Sequence, residues 1–311
     1  MKVWQADLAI ILAGTIWGMS FIFTRWGLDN CSPALFLLLR FLLALAVSLV
    51  LFWRHLKGLG RKTLTQGIIL GLFMGGGFLL QNYSVNFTEV PRAAFIAAMT
   101  LPAIPVVSFI LFREKVKINN LLGIILALIG LYLLLDPSFN GINSGDIIAL
   151  ISVPLWALYL IYINKFTEGS QEEHLTSRLL VSQFIGALPL VLLAVIFFES
   201  GLIPPLHPDL GKGVTVTTKF TVGLVFCALL ASIGIVFIQT ACQKYTTPVQ
   251  AMLCFQFEPI TATVGAYFIL GEAISFKAGV GAVIIILGVL TSEIGALIMA
   301  ARAKPKSQGL G

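Results

Sequence analysis

Long apolar runs separated by short polar connections extend over nearly the whole chain. The runs show no alternation of apolar and polar positions, and most approach the ~20 residues that a helix needs to cross a bilayer. Helices satisfy their own backbone hydrogen bonds, which lipid cannot do. The pattern therefore predicts an all-α membrane protein with ten transmembrane helices. Their approximate ranges are 8–26, 34–53, 65–87, 92–112, 119–135, 146–164, 175–198, 220–244, 248–270 and 276–299.

The composition agrees with a chain that is solvated by lipid. Of its 311 residues, 58% are hydrophobic and only 11% are charged, and the mean hydropathy is +0.97. A soluble domain carries charges on about a quarter of its residues, so this chain could not cover its surface in water. No cleavage site for a signal peptide follows the first apolar run, which we therefore interpret as a retained span.

The distribution of basic residues predicts the orientation. The net charge of +6 could indicate a nucleic-acid partner, but the basic residues lie in short connections and not along one face. With ten spans, thirteen of the twenty Lys and Arg residues fall on one side of the membrane. The positive-inside rule makes that side the cytoplasm. We expect no nucleic-acid partner, both termini in the cytoplasm and a location in the inner (cytoplasmic) membrane.

Residue types that carry catalysis or cofactors give little signal. The four cysteines have no C-x-x-C spacing and three lie in apolar runs, which favours buried thiols over a disulfide or a metal site. The three histidines lie in connections without H-E-x-x-H spacing, and no G-x-x-x-x-G-K-[ST] phosphate loop occurs. We expect no cofactor and no bound metal, and the chain is not predicted to be an enzyme.

The second half of the chain repeats the first without a gap over a long stretch. At a shift of 158 positions the matched pairs include Gln81 with Gln239, Thr88 with Thr246, Glu114 with Glu272 and Gly130 with Gly288. The two repeats, 1–137 and 138–311, each contain five predicted spans. Because five is odd, the second repeat enters the membrane in the opposite sense, an inverted 5+5 arrangement typical of alternating-access carriers. The alternative is a repeat retained only for packing.

Polar residues inside the predicted helices are the first candidates for a site. Gln81 and Gln239 occupy matching depths, where they could hydrogen-bond a polar solute or merely neighbouring helices. Glu258 is the only acidic residue well inside a predicted span. It could act as a proton-coupling or cation-binding carboxylate, or it could form a structural ion pair or a protonated cap. Arg40 could meet a substrate carboxylate, pair with Glu258 or bind the carbonyl groups of a broken helix.

Prolines predict kinks in the fourth and ninth spans. Pro102 and Pro105 lie in the fourth span, and Pro259 follows Glu258 in the ninth. Each removes a backbone donor, which bends or breaks a helix. Kinked helices at corresponding places in two halves are typical of a substrate site.

Aromatic residues complete the set of candidates. Trp17 and Trp156 occupy matching places in the first and sixth spans, at a shift of 139 because the connection at 199–219 breaks the register. Central rings can form walls against which a flat or apolar substrate packs. Facing and depth add Phe95, Met99 and Tyr159 to the predicted site.

These features resemble the EamA branch of the drug/metabolite transporter superfamily. The resemblance rests on the ten spans, the internal repeat, Trp17-Gly18-x-x-Phe21, Arg40, Pro259-x12-Glu272 and the glycine-spaced spans that follow Glu114 and Glu272. It covers nearly the whole chain, although Ala157 stands where the pattern has a glycine after the second tryptophan. It implies a carrier for amino acids or related small metabolites, often an exporter. Trp17, Arg40, Trp156 and Glu258 match its motif positions.

The hypothesis is thus an alternating-access secondary transporter, an exporter or facilitator, with its site between the two repeats. Its partners are a small-molecule metabolite and the lipid bilayer. One alternative is a proton-coupled carrier of cationic or drug-like compounds, with protons as the coupling ion. The other is a polytopic membrane enzyme or sensor. The sequence carries no signal for a particular oligomeric state.

Overall fold

A computed structural model describes residues 3–88, 90–113, 118–135, 143–200, 213–270 and 275–303. Helices are the only extended regular elements in these ranges. The first repeat contains α1 (Val3–Leu28), α2 (Pro33–Phe52), α3 (Arg61–Phe87), α4 (Val90–Ala98), α5 (Thr100–Phe112) and α6 (Ile118–Leu135). The second contains α7 (Ser144–Thr167), α8 (Leu175–Ala194), α9 (Thr218–Val225), α10 (Ile235–Cys242), α11 (Pro248–Phe255), α12 (Phe257–Leu270) and α13 (Phe276–Ala303).

Several of these helices join end to end into longer rods. Helix α8 continues as a π-helical turn, Val195–Glu199, and a π-helical segment, Phe226–Gly234, joins α9 to α10. Within the described ranges, seven helical stretches are long and apolar enough to cross a membrane, and three shorter apolar helices accompany them. The all-α prediction is confirmed, and each of the ten predicted segments corresponds to a helix or to a rod of joined helices.

The fourth and ninth rods break in the middle, as their prolines predict. Helix α4 ends before Met99 and α5 begins after it, while Gln256 separates α11 from α12. Each break lies three residues before a proline, Pro102 or Pro259. Proline cannot donate to the carbonyl group four residues back and its ring clashes with that group, so the helix restarts. Pro105, in contrast, is accommodated inside α5.

Small residues let the helices approach closely. A Cβ atom at Gly67 would lie 2.1 Å from Ser182 Cβ, and one at Gly71 would lie 2.1 Å from the carbonyl oxygen of Gln183. The stripe of glycines four residues apart in α3 therefore packs directly on α8, as small-xxx-small spacing predicts.

Helices α6 and α13 make a reciprocal contact through equivalent glycines. A Cβ atom at Gly130 would lie 2.6 Å from the carbonyl oxygen of Gly281, and one at Gly288 would lie 3.0 Å from that of Gly123. The 158-position shift carries Gly130 to Gly288 and Gly123 to Gly281. The contact is thus unchanged when the two repeats exchange places, which is the signature of a two-fold (isologous) interface. The two helices are antiparallel at this contact.

Other equivalent residues also touch each other directly. The rings of Trp17 and Trp156 lie 5.5 Å apart, and those of Phe41 and Phe184 lie 5.7 Å apart. Phe41 and Phe184 are equivalent because the surrounding residues of α2 and α8 match at identical spacings. Likewise, α1 packs on α12 while its counterpart α7 packs on α4 and α5. Tryptophan and phenylalanine pairs thus lie where the two repeats meet.

Candidate functional site

A central cavity lies between the two repeats, beside both helix breaks. It has about 520 Å³ of empty space, part of it open to the outside. Helices α1, α3, α4 and α5 contribute to it from the first repeat, and α7, α10, α11 and α12 from the second. The lining side chains with chemistry to offer are Trp17, Gln81, Thr100, Trp156, Gln239, Gln256 and Glu258.

The apolar wall of the central cavity is a cluster of aromatic rings. Trp17 and Trp156 meet edge to face, and Phe255 packs at 5.3 Å against Trp17. Phe78 packs at 4.9 Å against Trp156. A Cβ atom at Gly77 would lie 2.7 Å from the Trp156 ring, so glycine leaves the space in which this indole rests on α3. Such rings bind flat or apolar groups without a specific polar partner.

Polar atoms with unmet hydrogen-bonding capacity line the same cavity. Gln239 is 1% exposed, and its Oε1 atom has no hydrogen-bond partner among the described residues. The same holds for Thr100 Oγ1 and for Gln256 Oε1 beside the helix breaks. Leaving a buried polar group unpaired costs about 1–3 kcal/mol. A polar solute or water in the cavity would relieve that cost.

Glu258 lies in the first turn of α12, at the restart of the broken ninth rod. The positive end of a helix dipole favours a carboxylate in the first turn. No ion pair joins Glu258 to Arg40 in the described structure. The two residues thus do not pair in this conformation, and Glu258 lines the central cavity.

Arg40 lies in a second, adjoining cavity, which we call the Arg40 cavity. It has about 240 Å³ of empty space and shares Trp17 and Gln81 with the central cavity. Ser20, Thr24 and Asn82 add polar groups to its wall. The central cavity by itself is lined by five of the predicted site residues, and Arg40 lines the adjoining one. The five are Trp17, Gln81, Trp156, Gln239 and Glu258.

Two predicted site residues face elsewhere. Met99 packs with Ala98, Leu131 and Ile285, between helices, although its neighbours Ala98 and Thr100 both line the cavity. Tyr159 is buried behind Trp156, and its hydroxyl donates to Gln183 Oε1 at 3.0 Å. Neither is among the residues that line the central cavity. The side chain of Phe95 lies outside the described part of the chain.

Sequence reasoning missed several residues that the structure brings to the two cavities. Gln256 and Thr100 line the central cavity next to the two breaks, and Phe78 lies between Arg40 and Trp156. The proline positions carried a usable signal, since a break three residues earlier would have pointed to Gln256. Phe78 had no comparable signal. No cluster of three or more potential metal ligands occurs within the described residues.

A sequence model of the EamA-like transporter family matches residues 4–136 and again residues 143–292. The chain belongs to the EamA-like transporter family. Both matches contain residues of the central cavity, and together they span most of the chain. The apolar helices and this membership identify a multi-pass membrane protein of the transporter class.

Curated relatives of this EamA-like protein are named as transporters. An uncharacterized transporter from Archaeoglobus fulgidus is 24% identical over 93% of this chain and 86% of its own length. A probable amino-acid metabolite efflux pump from Salmonella typhimurium is 26% identical over 92% of this chain and 93% of its own. The Escherichia coli protein with the same description is 24% identical over the same shares.

A solved protein structure shares the fold. It superimposes with a TM-score of 0.71 over 96% of this chain and 99% of its own, at 15% sequence identity. The likeness at this identity concerns the helical architecture alone.

Proposed function

We propose that this EamA-like protein is an alternating-access carrier that moves amino acids or related small metabolites out of the cytoplasm. The observation that carries the proposal is the central cavity, which lies where the repeats meet and is walled by the equivalent Trp17 and Trp156. A site at the junction of two repeats can be exposed to either side by rocking one half against the other.

The repeats 1–137 and 138–311 would form the two moving halves, inserted in opposite senses. The reciprocal contact of Gly130 and Gly288 supports this arrangement, because its two sides exchange when the repeats exchange. The distribution of Lys and Arg supports cytoplasmic termini and a place in the inner membrane. In that orientation α1 begins at the cytoplasmic end and α7 begins at the external end.

The substrate class rests on cavity chemistry and on the named relatives. Indole rings suit an apolar side chain, while amide groups such as those of Gln81 and Gln239 suit a polar head group. A solute with both features, such as an amino acid, matches this lining. The Salmonella and Escherichia coli relatives are described as probable amino-acid metabolite efflux pumps.

Equivalent polar contacts at the two ends offer a means of alternation. At the proposed external end, Thr88 Oγ1 donates to Asp146 Oδ1 at 3.0 Å, which joins α3 to α7. Asp7 and Thr246 are the equivalents at the proposed cytoplasmic end. There, Asp7 Oδ2 accepts from Gln250 Nε2 at 3.2 Å, and Thr246 Oγ1 has no hydrogen-bond partner among the described residues. We expect Thr246 to bond Asp7 when the opposite end opens.

Proton coupling is the second candidate mechanism, and the position of Glu258 favours it. A carboxyl group at a helix break that faces a cavity can exchange a proton with a solute-filled space. If coupling operates through it, Glu258→Gln protein should equilibrate solute but should not concentrate it against a gradient. Concentrative uptake by Glu258→Gln at the wild-type rate would reject the coupling role.

The test is transport by purified protein in liposomes, with a mixture of radiolabelled L-amino acids as the probe. We expect uptake above that of empty liposomes, and a reduction of about tenfold or more in Gln81→Ala and Gln239→Ala, since each removes one polar contact. Gln66→Ala is the matched control, because Gln66 lies on α3 outside the cavity lining. Absence of uptake by the wild-type protein for amino acids and for other metabolite classes would contradict the carrier proposal.

A further inference from the structure

Arg40 is the most deeply buried cation in the described part of the chain and lies in the middle of α2. It is 1% exposed. Its Nε atom donates to Ser232 Oγ at 2.7 Å, and Ser232 in turn donates to the carbonyl oxygen of Cys227 at 2.9 Å. Both residues belong to the π-helical segment, and π-helical turns often occur at functional positions. The guanidinium is therefore held from one side by a rigid partner.

Phe78 holds the guanidinium from a second direction. The guanidinium carbon lies 4.4 Å from the centroid of that ring, which is the geometry of a cation–π contact. Phe78 also packs against Trp17 and Trp156. The orientation of Arg40 is thus tied to the aromatic wall of the central cavity.

The other end of the Arg40 guanidinium has neither a hydrogen-bond partner nor a counter-charge in the described structure. Its Nη2 atom is buried and has no hydrogen-bond partner in the described structure. No ion pair joins Arg40 to a described carboxylate, and no acidic side chain is among the residues that line the Arg40 cavity. Burying an unpaired charge is strongly unfavourable, whereas a planar guanidinium binds carboxylates well. The site is complementary to an anionic oxygen that the chain itself does not supply.

We infer that Arg40 recognises the carboxylate of the transported solute, which makes the substrate a carboxylate-bearing metabolite. The inference rests on the proposed carrier function and deepens it. Nη2 of Arg40 would bind the carboxylate in the Arg40 cavity. The apolar remainder of the solute would lie in the central cavity, on the other side of Trp17, which lines both cavities. Ser232 and Phe78 act as positioning residues for the guanidinium.

The first experiment uses the wild-type protein and needs no variant. Thermal stabilisation is measured with each standard L-amino acid and with its amide, which keeps the side chain and the amino group but lacks the carboxylate. Loss of a charge-assisted hydrogen bond predicts about 10- to 100-fold weaker binding of the amide. Equal binding of the acid and amide forms would overturn the inference. It would leave the carrier proposal intact as long as liposomes still take up either form.

The second experiment separates recognition from structure. Arg40→Gln should lose the preference for acid over amide, and without any ligand it should be at least as stable as the wild type, because a buried unpaired charge has been removed. Arg25→Gln, at a helix end, is the matched control and should keep the preference. If Arg40 is only structural, Arg40→Gln will instead lower the unfolding temperature and keep the acid preference in whatever folded protein remains.

Discussion

The two repeats share a framework but differ in the charges that they place in the membrane. Trp17 and Phe41 have identical equivalents, Trp156 and Phe184, and each pair is in contact. Arg40, however, has the neutral Gln183 as its equivalent. Each of the two side chains makes one hydrogen bond, Arg40 to Ser232 and Gln183 from Tyr159, and each leaves one buried nitrogen without a partner in the described structure. They therefore differ in charge.

The acidic residue shows the opposite asymmetry. At the 158-position shift, Glu258 of the second repeat falls on the neutral Thr100 of the first, and both residues line the central cavity. In the proposed alternating-access mechanism, matching contacts at the interface would keep the two halves interchangeable. Arg40 and Glu258 have neutral residues at the equivalent positions, so the two repeats differ there in charge. We propose that equivalent positions form the moving parts and that unequal positions select the solute.

The largest expected effect concerns the small residues that follow the two equivalent tryptophans, Gly18 after Trp17 and Ala157 after Trp156. A Cβ atom at Gly18 would lie 2.2 Å from the backbone carbonyl oxygen of Glu258. Gly18→Ala should therefore push α1 away from α12, destabilise the protein by about 1–3 kcal/mol and abolish uptake. Ala157→Gly, at the equivalent place, creates no overlap and should retain most uptake at a cost of about 1 kcal/mol in stability.

Uptake per folded molecule and the thermal unfolding temperature check this prediction. Gly60→Ala provides the control for substitution itself, since nothing lies within 4 Å of a Cβ atom there. Equal tolerance of alanine at Gly18 and Gly60 would mean that the close crossing of α1 and α12 is unimportant.

A second prediction concerns the equivalent threonines at the two ends. Thr88→Val removes the bond to Asp146, and a bond to a charged group is worth about 1.5–3 kcal/mol, so the external end should open more often. Thr246→Val should act in the opposite direction, because it removes the bond expected in the other conformation. The reporter is Ala97→Cys in the cavity wall, labelled by an impermeant maleimide from outside.

Labelling should become about tenfold or more faster with Thr88→Val, and slower with Thr246→Val. The parent protein without Ala97→Cys gives the background from the four native cysteines, all of which are buried. A change in the same direction for both valine variants would refute the reciprocal role of the two contacts.

A third prediction compares Arg40 with its neutral equivalent. Gln183→Ala removes a neutral hydrogen bond from Tyr159, which is worth about 1 kcal/mol. We expect a modest fall in unfolding temperature and an unchanged preference for amino acids over their amides. Loss of that preference in Gln183→Ala would show that both equivalent positions recognise the solute.

The sequence predicted the framework well because its determinants are local. Apolar length set the helices, and prolines set the two breaks. The pairing of Trp17 with Trp156 followed from the repeat. The matching depth of Gln81 and Gln239 allowed either contact with a solute or bonds to neighbouring helices, and the structure places both residues in the lining of one cavity.

The facing of individual side chains was harder to predict. A membrane helix is apolar on its lipid side and on much of its packed side, so periodicity does not orient Met99 or Tyr159. The sequence pattern also gave no signal for contacts between connections that are distant along the chain. The imidazole rings of His55 and His174 stack at 4.0 Å, although each lies in a different connection. The sequence also did not point to Asp7, because its proposed bond to Thr246 is inferred from the bond between the equivalent residues Asp146 and Thr88.

The smallest predicted effect concerns acid stability at the proposed cytoplasmic end. Partial burial raises the pKa of the Glu172 carboxyl, but hydrogen bonds from Thr63 and Arg178 and the charges of Arg178 and Lys62 outweigh burial. The net pKa is lowered. A lowered folded-state pKa stabilises the protein fully above the unfolded value of about 4.3, and the stabilisation disappears as the pH falls through the folded value.

Glu172→Gln should therefore unfold at a slightly lower temperature than the wild type at neutral pH. The difference should shrink as the pH falls below the unfolded value of about 4.3 and disappear once the pH is below the lowered folded-state pKa. Thermal unfolding followed across this pH range measures it. A difference that persists undiminished in acid would mean that Glu172 acts through packing and not through its charge.

The inverted arrangement of the repeats can be tested by the sidedness of two equivalent connections. Lys57 lies exposed between α2 and α3, and Val216 lies exposed just before α9, the corresponding place in the second repeat. Single Lys57→Cys and Val216→Cys variants are treated with an impermeant maleimide in intact cells and after permeabilisation. With inverted repeats, we expect labelling of Val216→Cys in intact cells and of Lys57→Cys only after permeabilisation. Labelling of both connections from the same side of the membrane would contradict the inverted arrangement.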